Sequence, residues 1–140
     1  MARAYRRARP FGRTDEHAGW ISRLSDAERS RFREQGTRLV GDLLAHLDAE
    51  RAEAADLLTS AERHAGEYGA EAARLGASLS DTVEGFLRFR KPFVDELAVV
   101  ARRRRLDTNE ATILLADAEL ALDRLLVALM VGHGAGGNMA

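Results

Sequence analysis

The stretch SLSDTVEGFLRFRKPFVDEL, from Ser78 to Leu97, decides the fold of this chain. Ser78 or Ser80 can cap a helix, because a serine oxygen accepts a hydrogen bond from a backbone N–H of the first turn. Apolar residues then recur at steps of three and four, the spacing of one face of an α-helix. This face comprises Val83, Phe86, Leu87, Phe93, Val94 and Leu97. The stretch therefore predicts an amphipathic helix that packs against other helices.

Three further segments show the same helical pattern. The first begins at the capping box Ser25 to Glu28, in which each side chain bonds the backbone N–H of the other residue. The second spans about Ala52 to Leu75, with a glycine after it as a helix stop. The last starts at the similar box Asp107 to Glu110 and runs to about Val131. No strand-like alternation appears. We predict an all-α protein, either an antiparallel four-helix bundle or a globin-like helical domain with a short N-terminal helix.

The helices divide the chain into three parts. Residues 1–24 form a basic arm and a short helix, with Thr14 or Asp15 as its cap and Leu24 as its end. Residues 25–131 form the main helical domain. Residues 132–140 hold four glycines, and this composition predicts a flexible tail.

Composition and charge exclude several classes of protein. The 140-residue chain carries a net charge of −1, but residues 1–13 hold five arginines and no acid, so the arm is +5 and the remainder −6. The absence of cysteine excludes disulfides, thiolate zinc sites and cysteine nucleophiles. The most apolar window, Ile113 to Val131, contains four charged residues, which a membrane span rarely accepts. We therefore expect a cytoplasmic protein without a membrane segment.

Nothing in the sequence spells out a reaction. The four histidines do not lie three or four residues apart, so they lack the spacing of metal ligands on a helix. The serines sit at helix caps, and the glycine-rich end lacks the strand and the lysine of a phosphate loop. We expect no enzyme, no metal and no cofactor.

The phenylalanines of the opening stretch allow two interpretations. Phe86, Phe89 and Phe93 lie on one side of one helix, which most often means core packing. Pro92 beside them cannot donate a backbone hydrogen bond, and a proline inside a helix favours a kink or hinge. The alternative is a small apolar pocket lined by the three rings and faced by His64 or Tyr68 from the second helix.

Two other surfaces are candidates for binding. The arm has arginines without acids, and arginine is the natural contact for phosphate. Its candidate nucleic-acid residues are Arg6, Arg7, Arg9 and Arg13. The segment Leu125 to Val131 is apolar on every side, more than one core easily covers. It predicts a homodimer with Leu126, Leu129 and Met130 at the interface.

Part of the sequence resembles a known family. The segments GEYG (66–69), GASLS (76–80) and FLRFRKP (86–92) resemble the helical N-terminal sensor regions of RsbT co-antagonist (RsbR-type) proteins. The resemblance extends over about Ser25 to Val131. It implies a helical module that senses or transmits a signal, often as a dimer, and it carries no catalytic residues.

The arm resembles a second family. The stretch RRARPFGRTDEHAGWI, Arg6 to Ile21, is similar to the wing and last helix of excisionase- or MerR-type DNA-binding domains. Phe11, Arg13 and Trp20 are among the matching residues. The helix that would read base edges precedes this part in such domains, so the stretch is interpreted either as the start of a truncated chain or as a remnant.

These observations favour a non-enzymatic regulatory module of a bacterial transcription or stress-signalling regulator, with a partner regulatory protein. One alternative is a sensor of haem or of a small apolar ligand with globin-like helices. The other is a DNA-binding protein that acts through its basic arm.

Overall fold

The computed structural model describes residues 20–139, and within this range the chain is helical without a strand. A short 3-10 turn, Ile21–Arg23, precedes four α-helices. These are α1 (Asp26–Asp48), α2 (Arg51–Arg74), α3 (Leu79–Arg103) and α4 (Thr108–Met139). The predicted all-α bundle is confirmed, and the basic arm lies outside the described residues.

The predicted helix starts are present as side-chain caps. Ser25 Oγ accepts from the backbone N–H of Glu28 at 3.1 Å, and Glu28 Oε1 accepts from the N–H of Ser25 at 2.9 Å. This hydrogen bonding lowers the pKa of the Glu28 carboxyl. Ser78, rather than Ser80, caps α3 through the N–H of Asp81 at 3.0 Å. Each cap satisfies N–H groups that a helix leaves unpaired at its start.

Two helices end in left-handed turns. Gly76 has φ +98° after α2, a conformation that glycine adopts without steric cost. After α3 the corresponding residue is Arg105, with φ +56°. In both turns the next residue donates its N–H five residues back, from Ala77 to Ala72 and from Leu106 to Ala101. These bonds close the last helical turn and reverse the chain direction.

The contacts between helices define their directions. The α1 residues Asp42 and His46 contact His64 and Ala54 of α2 respectively, so these two helices are antiparallel. The short turns between successive helices give an up-down-up-down order. The most extensive helix–helix contact joins α2 and α4, whereas α1 packs mainly on α2 and α3 mainly on α4.

Helices α2 and α4 run parallel and approach each other closely. Arg124 Nε lies 2.7 Å from Glu62 Oε1, and one to two turns further along both helices Gly132 lies against Gly66. A Cβ added at Gly132 would lie 2.7 Å from the Gly66 Cα, and one added at Gly136 would lie 2.7 Å from the Ala70 Cα. Small residues therefore bring the parallel pair together at the centre of the bundle.

The glycine-rich end of the chain differs from the prediction. Residues 132–140 were predicted to form a flexible tail, but α4 continues past Val131 to Met139. The physical reason is the contact with α2. Gly132 and Gly136 are one helical turn apart and face the α2 backbone, where any side chain would clash. Packing thus offsets the low helix propensity of glycine.

The core combines these small residues with large side chains from the other helices. The largest fully buried side chains are those of Phe86, Phe93, Leu39, Leu43, Leu97, Leu122, Leu125 and Leu129. The core-packing interpretation of the phenylalanines therefore agrees with their burial. Helix α3 continues through Pro92, which lies on its exposed side.

Candidate functional site

The predicted pocket residues on α2 lie against α1. His64 Nδ1 forms a hydrogen bond with Asp42 Oδ2, and both side chains are mostly buried. The Tyr68 ring stacks on Phe32, with ring centroids 4.2 Å apart. Burial raises the pKa of the Tyr68 phenol well above its usual range. These contacts tie α2 to α1 and account for both side chains structurally.

The three phenylalanines of α3 form a cluster of their own. The Phe86 and Phe89 ring centroids are 5.9 Å apart, and those of Phe89 and Phe93 are 5.2 Å apart. All three rings are buried in the common core. The structure brings these rings together as predicted, while a ligand pocket among them and a hinge at Pro92 stay predictions.

The candidate nucleic-acid residues Arg6, Arg7, Arg9 and Arg13 lie outside the described residues. The four arginines at the end of α3, residues 102–105, are all exposed. Two of them, Arg102 and Arg103, lie in the last turn of the helix, where cations complement the helix dipole.

The predicted interface residues on α4 have different environments. Leu129 is fully buried, and Leu126 is partly buried against the core. Met130 is 40% exposed. The position of Leu129 differs from the prediction that it lies at a dimer interface, because its side chain points into the core. The apolar residues of this segment that face outward most are Val127 and Val131.

A line of exposed apolar residues runs along the outside of α4. Its members are large hydrophobic residues between 52% and 68% exposed, namely Ile113, Leu120, Val127 and Val131. Steps of seven residues differ by about 20° around a helix, and eighteen residues complete five turns. These four side chains therefore share one direction over roughly 27 Å of helix. We call this surface the α4 outer face.

A groove beside the α4 outer face lies along the junction of α4 and α2. It has a volume of about 580 Å³, and its apolar wall includes Val127, Val131 and Gly66. The pair of Glu62 and Arg124 lies at its rim. Gly66 forms part of the α2 wall of the groove, next to the close contact with Gly132.

On the side of α4 that faces α3, charged residues connect the two helices. Arg90 of α3 donates to Asp123 Oδ1 at 2.8 Å and also to Glu119 Oε2. Desolvation alone would lower the pKa of the Arg90 guanidinium, but these two carboxylates outweigh it and the pKa rises.

The sequence signal for the α4 outer face was the seven-residue repeat. It was hidden because α4 also carries a buried leucine face of similar composition.

Two properties of the described part bear on function. Residues 20–139 contain no cluster of three or more histidine or acidic side chains placed to hold a metal ion. No helix within the described range combines the length and the hydropathy needed to cross a membrane.

Comparison of the chain with protein-family models, with curated proteins and with solved structures gave no match. The arrangement of the described residues is therefore the basis for a proposal on function.

Proposed function

We propose that this protein is a non-enzymatic regulatory module that acts by binding another protein chain through the α4 outer face. The observation that carries the proposal is the exposure of four large apolar residues on one line of a helix. Burying such a line in a partner is favourable at roughly 25 cal/mol per Å² of apolar surface. Exposed apolar patches rimmed by polar residues are typical of interaction sites.

The surroundings of the α4 outer face support a binding role. The groove beside it offers a concave apolar wall, and the charged pairs of Arg124 and Arg90 border it on both sides. Apolar centres with polar rims are the usual organisation of protein interfaces. The underlying bundle is tied together by core contacts, so that it presents α4 as a rigid surface.

The proposed biological setting comes from the sequence resemblance. The resemblance to RsbR-type regulators implies a helical module that senses or transmits a signal, and we extend that role to this chain as a proposal. Its output would be a change in association with a regulatory partner rather than a chemical reaction.

Site-specific photo-crosslinking in the native host tests the proposal. A photoreactive amino acid replaces Leu120, and the matched control carries it at Leu87, an apolar residue of α3 that is 48% exposed. We expect a discrete crosslinked product at position 120 and none at position 87. No product at position 120, or equal products at both positions, would show that the α4 outer face is not a binding surface.

A further inference from the structure

Three of the four residues of the α4 outer face are spaced symmetrically about Leu120. Leu120 lies seven residues from Ile113 and seven from Val127. When two copies of such a helix pair antiparallel around a two-fold axis at Leu120, Leu120 meets itself. Ile113 of each copy then meets Val127 of the other. The seven-residue spacing is also that of helices packed at a shallow left-handed crossing.

We propose that the partner of the α4 outer face is a second copy of this chain, paired antiparallel through α4 about Leu120. This inference rests on the proposed function and names the partner. It also differs from the interface first predicted from the sequence, since Leu129 belongs to the core.

Charge complementarity favours the antiparallel direction. Asp117 is exposed, and the Arg124 side chain is 54% exposed, and both lie on the flanks of the α4 outer face. The register that pairs Leu120 with itself brings Asp117 of one copy within one residue of Arg124 of the other. A parallel pairing would instead place like charges together, Asp117 on Asp117 and Arg124 on Arg124, which disfavours that alternative.

Arg124 can bind Glu62 of its own chain and Asp117 of the second copy at the same time. Its Nε faces Glu62 within the chain at 2.7 Å. The terminal nitrogens of a guanidinium carry further N–H donors in a fixed plane, and arginine is suited to binding more than one carboxylate. The within-chain pair therefore orients Arg124 at the edge of the interface and leaves its outer donors for the second copy.

The groove supplies shape complementarity in the same register. Its wall includes Val127 and Val131, and the antiparallel pairing places Ile113 of the second copy over this wall. Ile113 projects from the start of α4 with 52% of its surface exposed. Each copy thus inserts one residue at the groove of the other, as a two-fold interface requires.

Sedimentation equilibrium on the full chain tests the pairing. A seam of this length is at the small end of specific interfaces, for which we expect a dissociation constant on the order of 10 µM. Leu120→Glu should weaken the dimer at least about tenfold, because it buries two carboxylates side by side. Leu87→Glu, the matched control, should change the constant less than about twofold. Far-UV circular dichroism verifies the fold of each variant.

Charge reversal tests the direction. In a Glu62→Gln background, which removes the negative charge of the within-chain partner, Asp117→Arg and Arg124→Asp should each weaken association about three- to tenfold. The double variant should recover most of the affinity. Failure of the double variant to recover would overturn the antiparallel register.

A strictly monomeric chain at high concentration would overturn pairing with a second copy. The proposed function would then be judged separately by the crosslink at Leu120. A product of twice the 15.4 kDa chain mass supports the dimer, and a product with a different protein keeps the binding function but rejects this partner.

Discussion

Substitution of Gly132 by alanine tests how closely α2 and α4 are packed. The new Cβ would lie 2.7 Å from the Gly66 Cα and 2.6 Å from the Gly66 carbonyl carbon. Carbon atoms in contact prefer separations of about 3.5–4.0 Å. Both neighbouring atoms belong to the backbone, so no side chain can rotate away. The two helices must therefore separate by about 1 Å at this point.

The free energy of unfolding should fall. Overpacking of a tight contact costs about 1–3 kcal/mol, and the upper half of that range applies because the backbone cannot yield. The better helix propensity of alanine offsets about 0.5–1 kcal/mol of this loss. The net destabilisation should be about 1–2.5 kcal/mol, which corresponds to a decrease in Tm of about 3–8 °C for a domain of this size.

Gly134→Ala is the matched control. Gly134 lies two residues further along the same helix, and a Cβ there meets nothing within 4 Å. Only the propensity gain remains, so this variant should be more stable than the native chain by about 0.5–1 kcal/mol. Thermal and urea unfolding followed by circular dichroism measure both variants. The protein concentration must be equal, because association contributes to apparent stability. Equal stability of the two variants would refute the close contact of α2 with α4.

Three further substitutions test other parts of the fold. Pro92→Ala should raise the free energy of unfolding by about 1–2 kcal/mol, since it restores an N–H donor at an exposed helical position, and a loss of stability by urea unfolding would argue against this reasoning. Arg90→Ala should lower it by about 1 kcal/mol at low salt through loss of its two carboxylate partners on α4, and the loss should shrink in high salt or else those pairs do not contribute. The Ser25→Ala variant should be less stable than the native chain at neutral pH, but the difference should shrink in acid. The pKa of Glu28 is lowered below its ordinary 4.5 in the folded state, so its contribution is complete above that pH and lost as the pH falls through the folded-state value. A difference independent of pH would contradict this link.

The helix ends and apolar faces could be predicted because they depend on residues close in sequence. The Ser25 box and the stop at Gly76 each involve atoms only a few residues apart. The stop at Arg105 had no such signal, because arginine rarely adopts positive φ. There the end of one apolar helical pattern and the start of the next, rather than the turn residue itself, indicated where α3 ends.

The end of α4 was not predictable in the same way. Gly132 and Gly136 have the composition of a loop, and only the α2 backbone facing them makes glycine the residue that fits. That information is long-range. It depends on two parallel helices separated by a whole antiparallel helix in the sequence.

The candidate site was predicted only in part. A segment that is apolar on every side indicates that some of it faces outward, but it does not say which residues do. Leu129 and Val127 are two positions apart, yet one is fully buried and the other is 61% exposed. The direction of each side chain is fixed by the α2 contact. The proposed interface therefore lies on the seven-residue line of α4 and not on the residues predicted from the sequence.

Cysteine crosslinking tests the role of the α4 outer face most directly, because the native chain has no cysteine to interfere. A disulfide forms only where two Cα atoms come within about 7 Å. Under mild oxidation, Leu120→Cys alone should give a covalent dimer, since the residue meets itself across the two-fold axis. Ile113→Cys and Val127→Cys should each stay monomeric alone and crosslink when mixed. Crosslinking of Ile113→Cys with itself, or no product from any of the three variants, would contradict the antiparallel pairing through α4.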